Sequence, residues 1–164
     1  VKEIMTKPIA NHDIIQKEPV VVTSADGLDS VIGLTHDEHF DLDDVSFSEE
    51  QGVVRIPYRR IFHGHPGRLI RNWLIFRTYE LDVIRSILTI RNVEEYQVDD
   101  RSHIWTYSFN TMSYTNGSLM IKCCEDCDLR MVTRKLELES RDVEIRGKSR
   151  VTHGFLWESN TEFY

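Results

Sequence analysis

Apolar and polar residues alternate through most of the stretch from about Val83 to Arg146, and turn residues interrupt the alternation every eight to twelve positions. A period of two lets one row of side chains enter a core while the other meets water, so this pattern predicts consecutive antiparallel strands running as a meander. Ile84, Leu88 and Ile90 share one parity, and the pair Asp99-Asp100 marks the next reversal. Trp105, Tyr107 and Phe109 share a face, but Met112 and Tyr114 fall on the opposite parity, which predicts a bulge near Asn110 and Thr111. A second phase slip separates Leu129 and Met131 from Leu136 and Leu138. Asn116-Gly117 is the clearest tight-turn signal. Two slips on long strands imply a bent sheet. The expected fold is therefore all-β and mainly antiparallel, a sandwich or partly open barrel of about seven to nine strands with one or two short helices.

The N-terminal half is less regular. Residues 1 to 18 read as a loosely ordered lead-in broken by Pro8 and Pro19, followed by the β-branched run Val20-Val21-Val22-Thr23. Asp26 is placed to cap a brief helix through Leu28, Val31, Ile32 and Leu34, weakened by Gly27 and Gly33. Val45-Ser46-Phe47 and Val53-Val54-Arg55-Ile56 flank a turn over Ser48 to Gly52, which predicts a hairpin. Pro57 should end the outgoing strand or confine it to an edge. Arg68 to Tyr79 fits a strand entered by a short turn, and the aromatic end from Val151 to Tyr164 is apolar enough to dock on the domain.

The length of 164 residues suits one β-rich domain spanning 1–164. No apolar run approaches a bilayer-spanning length, so a membrane span is not expected, and the opening Val1 to Pro8 does not read as a secretory signal. Three cysteines within five residues, Cys123, Cys124 and Cys127, are poorly laid out for stapling a fold, so a reducing cytosol is the expected compartment.

A formal charge of −7 disfavours nucleic acid as a partner. The charge is also unevenly distributed. Glu18 to Glu50 holds ten acidic residues and no Lys or Arg, whereas Val53 to Tyr79 holds six arginines and no acid. Arg55, Arg59, Arg60, Arg68 and Arg71, with Arg77, are candidates for binding a protein or a small acidic ligand, with Tyr58 and Trp73 stacking beside them. The competing reading folds the acidic stretch back onto these guanidiniums.

Two histidine pairs are candidate metal ligands. His63-Gly64-His65 projects two imidazoles to one side of an extended chain. It resembles the histidine pair of the cupin family, although Leu69 and Ile70 stand where that family's pattern wants a Glu. His36 to Asp44 packs His36, His39 and five carboxylates into nine positions, with Asp41 or Asp43 as an oxygen ligand, but it lacks the central Gly and the closing Glu of a calcium loop. If these clusters met, His36, His39, His63, His65 and Asp41 would make a hydrolytic zinc-like centre. Otherwise both are polar surface loops, and no cofactor is implied.

Cys124 and Cys127 form a lone C-x-x-C at a hairpin reversal among acids, which reads as a turn with reduced thiols. Val1 to Thr6 with Leu28 to Leu34 looks like the opening of a CBS nucleotide-sensing motif over about thirty residues, although the hairpins that follow depart from that family's helical repeat. Neither a phosphate loop nor a Gly-x-Ser-x-Gly elbow occurs. The reading that results is a non-catalytic binding or protein-interaction module, with a free-edged sheet able to pair as a homodimer. A metal-dependent hydrolase is the alternative.

Overall fold

The computed structural model describes residues 15–16, 18–62, 67–73 and 75–154, together with the backbone of 158–163. The strands are β1 (Val20–Val22), β2 (His39–Asp41), β3 (Ser46–Ser48), β4 (Val53–Ile61), β5 (Arg68–Asn72), β6 (Phe76–Ile90), β7 (Val93–Asp100), β8 (Thr106–Thr115), β9 (Ser118–Cys123), β10 (Cys127–Thr133), β11 (Leu138–Gly154) and β12 (Glu158–Phe163). One helix, α1 (Leu28–Thr35), follows a 3-10 turn over Ala25–Gly27. The strands form one open antiparallel path in the order β1-β11-β6-β4-β2-β8-β9-β10-β7, with β12 beside β11, β3 beside β4 and β5 beside β6. The expected all-β class with a short helix is what is seen. Very short strands (β1, β2 and β3) and the splitting of Arg68 to Tyr79 into two raise the strand number above expectation.

Strand β8 is the joint of the sheet. Its first residues pair with β2 (Tyr107 opposite Phe40), and its later residues pair with β9. The register shifts between Phe109 and Thr111, where the alternation slips in the sequence. Tyr107 and Phe109 point inward before the bulge and Met112 after it. The extra residue bends the strand so that its two ends serve opposite halves of the path. Val54, Ile56, Leu88, Ile90 and Leu138 from one half thereby share a single core with Leu119, Ile121, Leu129 and Met131 from the other. Helix α1 adds Leu28 and Val31 to the same cluster.

Only β8, β9 and β10 are a consecutive meander; β6 does not pair with β7, nor β10 with β11. Two residues, Arg91 and Asn92, separate β6 from β7, and Asn92 has a φ of 60°. The chain turns a corner there and changes halves instead of reversing beside itself. β7 then joins β10, while β11 crosses back to pair with β6 from Leu138 opposite Ile90 to Gly154 opposite Phe76. At one corner the start of β7 meets the β3–β4 turn, where the Val93 N–H donates to the Gly52 carbonyl at 2.9 Å.

Three further expectations are corrected. Pro57 neither ends β4 nor lies at a sheet edge, since it pairs with Ile87 of β6 inside the strand. On the other side of β4, β3 covers Val53 to Arg55 and β2 meets only Arg59, so Pro57 falls in the gap between them, where a missing donor costs no ladder bond on that side. Trp105 does not share the face of Tyr107 and Phe109: it precedes β8 and is 81% exposed. It belongs to the β7–β8 loop, whose form is held by Tyr107 Oη donating to Asp100 Oδ1 at 2.7 Å and accepting the Ile104 N–H at 3.1 Å. Asp26 makes no cap; Gly27 occupies the N-cap of α1.

Candidate interaction surfaces

Beyond Ile61, β6 and β11 continue as a long ribbon flanked by β5 and β12. Every residue of β5 is exposed. The β5–β6 hairpin therefore presents Arg68, Leu69, Ile70, Arg71, Trp73 and Ile75 in one short stretch, with Trp73 62% and Ile75 71% exposed. The turn is built, since the Trp73 N–H donates to the Phe76 carbonyl at 2.8 Å and the indole stacks on the Phe76 ring with centroids 5.9 Å apart. A bulge between Leu69 and Arg71 breaks the alternation, so both apolar residues and both arginines reach solvent together. β5 pairs only with β6 among the described residues.

The arginines grouped by sequence divide by parity. Val54, Ile56, Tyr58 and Arg60 lie on the inner face of β4, and Arg55 and Arg59 on the outer. Arg60 is not available to a partner. Its guanidinium, 12% exposed, grips Asp142, whose side chain is 2% exposed. Arg60 Nε donates to Oδ1 at 3.1 Å and Nη2 to Oδ2, while Ser86 Oγ donates to Oδ1 at 2.7 Å and the Gln16 N–H to Oδ2 at 2.9 Å. Burial alone would raise this carboxyl's pKa, but the Arg60 contact and the Gln16 and Ser86 donors outweigh it and hold it below the usual carboxylate range. With four donors on two oxygens, Asp142 has no free lone pair with which to take a substrate proton. Beside it, Tyr58 Oη and Ser140 Oγ are 2.8 Å apart. The group is an internal polar clamp.

Of the described candidate metal ligands, His39 and Asp41 share β2 and His36 lies at the end of α1. His36 caps the end of α1, half-exposed, with Nδ1 3.0 Å from Asp37 Oδ2. His39 lies exposed on β2, opposite Arg59 on one side and Ser108 on the other. Asp41 accepts from Thr106 Oγ1 at 2.6 Å and approaches Arg59 Nη2 at 3.7 Å. His63 and His65 lie outside the described residues. Among the described residues no group of three or more His, Cys, Asp or Glu side chains is disposed to hold a metal ion.

The cysteines sit at the β9–β10 reversal, as the sequence implies. Cys123 and Cys127 are buried and Cys124 is exposed. Burial, with Asp100 nearby, pushes the Cys127 thiol up to about 11; burial also raises Cys123, and burial together with Asp37 raises Cys124. These are protonated, weakly nucleophilic thiols. Glu125 fixes the loop by accepting the Ser108 N–H at 2.7 Å and Ser108 Oγ at 2.9 Å.

Sequence reasoning found Arg68, Arg71 and Trp73, but it missed the exposure of Leu69, Ile70 and Ile75, because a bulge is invisible in a mixed run of six residues. It also missed Asp142 and Ser86. The available signal was a polar Ser86 at an inward parity between Ile84 and Leu88. Comparison with protein-family models, with curated proteins and with solved structures finds no match. No helix among the described residues is long and apolar enough to cross a membrane.

Proposed function

We propose that this chain is a non-catalytic binding module that docks an acidic, partly apolar segment of a protein partner on the β5–β6 hairpin. The observation that carries this reading is the exposed set Leu69, Ile70, Trp73 and Ile75 interleaved with Arg68, Arg71 and Arg77. Exposed apolar residues grouped this closely mark interaction surfaces, and Trp and Arg are the residues enriched where binding energy concentrates. Trp73 is already held by Phe76, so little side-chain freedom is lost on binding. The edge of β5, unpaired among the described residues, offers backbone groups to an added strand, while the arginines favour acidic side chains on it. All three cysteines are free thiols, which suits a reducing, cytosolic setting.

The test is fluorescence anisotropy with labelled peptides of alternating Glu and Leu, against Lys and Leu peptides of equal length. The acidic peptide should bind saturably, weaken with added salt, and lose about tenfold or more in affinity on Trp73→Ala. Equal binding of both peptides, or of native and variant protein, would overturn the proposal. Size-exclusion mass at low and high salt runs beside it. A dimer that Trp73→Ala dissociates would assign the hairpin to a second copy of the chain instead.

A further inference from the structure

On the opposite, outer face of the sheet a row of basic groups crosses three strands at one level. His39 of β2 stands opposite Arg59 of β4, and Arg59 stands directly opposite Arg85 of β6. Arg146, at the second register shift of β11, completes the group. Directly opposed residues on neighbouring strands place their Cβ atoms about 5 Å apart, and like charges in that relation destabilise a sheet. A chain free to place acids there has instead juxtaposed two guanidiniums.

The carboxylate beside Arg85 does not fully offset it: Glu144 Oε1 is 3.5 Å from Arg85 Nη1. Charge-assisted bonds close to about 2.7–2.9 Å. The Arg85 Nε–H is buried without any hydrogen-bond partner, the sole such side-chain atom among the described residues. A buried donor left unpaired is costly and calls for an acceptor. These groups line a cleft of about 70 Å³ together with Asp41, Asp44 and Pro57.

We infer that this cleft is a binding site for a phosphate group. Its size admits the group itself and leaves the body of any ester outside. Three guanidiniums from three strands suit a tetrahedral dianion, which accepts from several directions at once, better than they suit a planar carboxylate. Asp41 is already drawn toward Thr106 Oγ1 at 2.6 Å, and Asp44 opposes the anion from the lining. This site is separate from the hairpin surface and does not depend on it.

The test uses the full chain and inorganic phosphate. Phosphate should raise the melting temperature above that in chloride of equal ionic strength and should shift the Arg85 Nε–H resonance in a saturable titration. Arg85→Met should weaken phosphate binding about 10- to 100-fold, whereas Arg55→Met, on the same outer face but away from the cleft, should not. Because phosphate also stabilises proteins by exclusion from their surface, a melting rise retained in Arg85→Met overturns the inference. So does an Nε–H resonance that phosphate leaves unmoved, a readout that needs no variant to fold. Phosphoserine and glycerol phosphate form the second arm. Tighter binding of these than of inorganic phosphate assigns the site to an ester; equal or weaker binding assigns it to the free ion.

Discussion

Asp142 shows how a single carboxyl can be held ionised inside the sheet. Replacing it with Asn leaves Arg60 buried without its charge partner, and loss of one member of such a pair costs about 3–5 kcal/mol. Replacing both, as Arg60→Met with Asp142→Leu, should cost much less than the sum of the single changes in urea denaturation, since no lone charge remains. The pH dependence has a definite sign. The folded carboxyl titrates below its unfolded value of about 4, so its contribution is complete above that pH and is lost as pH falls through the lower, folded value. Asp142→Asn should flatten that acid limb. Cys127 acts at the other end of the scale. Raised to about 11 in the fold, it stays protonated while an unfolded thiol ionises near 8.5, so stability should fall as pH rises between these values. Iodoacetamide at pH 8 should modify Cys124 alone, and slowly, with Cys123 and Cys127 reacting only in denaturant. Rapid labelling of either buried thiol, read by mass spectrometry, would contradict the packing of the β9–β10 hairpin.

Turns set the register of the strands they join, and two glycines make that testable. Asn116 and Gly117, with φ of 50° and 76°, form the two-residue turn between β8 and β9. Gly117→Ala forces a left-handed conformation on a residue with a Cβ and should cost about 1–2 kcal/mol. Gly52, at φ 61°, carries the same penalty, and an added Cβ would lie 3.0 Å from the Val93 carbonyl at the corner where β7 meets the β3–β4 turn. Gly52→Ala should therefore be the more destabilising of the two in urea denaturation. Local features of this kind were legible in the sequence, because a turn pair, a hairpin or the slip at Asn110 declares itself within ten residues. What was not legible depends on distant partners. The corner at Arg91-Asn92 resembles a reversal until β10 is seen to pair with β7, and Pro57 resembles a strand end until the gap between β2 and β3 is known. The same limit split the arginines: parity along β4 separates Arg59 from Arg60, but only the register between β4 and β6 sets Arg59 against Arg85.

Among the described residues β1 and β7 form the two ends of the sheet path. β1 is three residues long, and α1 packs close by. β7 is longer, and its exposed residues Glu94, Glu95 and Asp99 set charge along the edge, with Glu94 held by Arg134 at 2.5 Å and Arg101 gathering Asp99, Asp126 and Asp128. Charges on an edge strand discourage another strand from pairing with it. In a chain of net charge −7, two such edges also repel one another. β5 is the contrast, a strand that carries exposed Leu69 and Ile70 between Arg68 and Arg71 in place of carboxylates. Edge protection by charge is then a property that mutation can remove. Glu95→Thr with Asp99→Thr keeps β propensity but removes two of the edge's three exposed carboxylates, leaving Glu94 with Arg134. Glu95 lies on the exposed side of β7, so Glu95→Thr alone should shift monomer stability by no more than about 0.5 kcal/mol, while the double variant should self-associate in light scattering at concentrations where the native chain stays monodisperse. Added salt should raise the association of the native chain more than that of the variant, because only the native edge has repulsion to screen. A variant that remains monodisperse at every salt concentration would mean that shape, and not charge, keeps β7 unpaired.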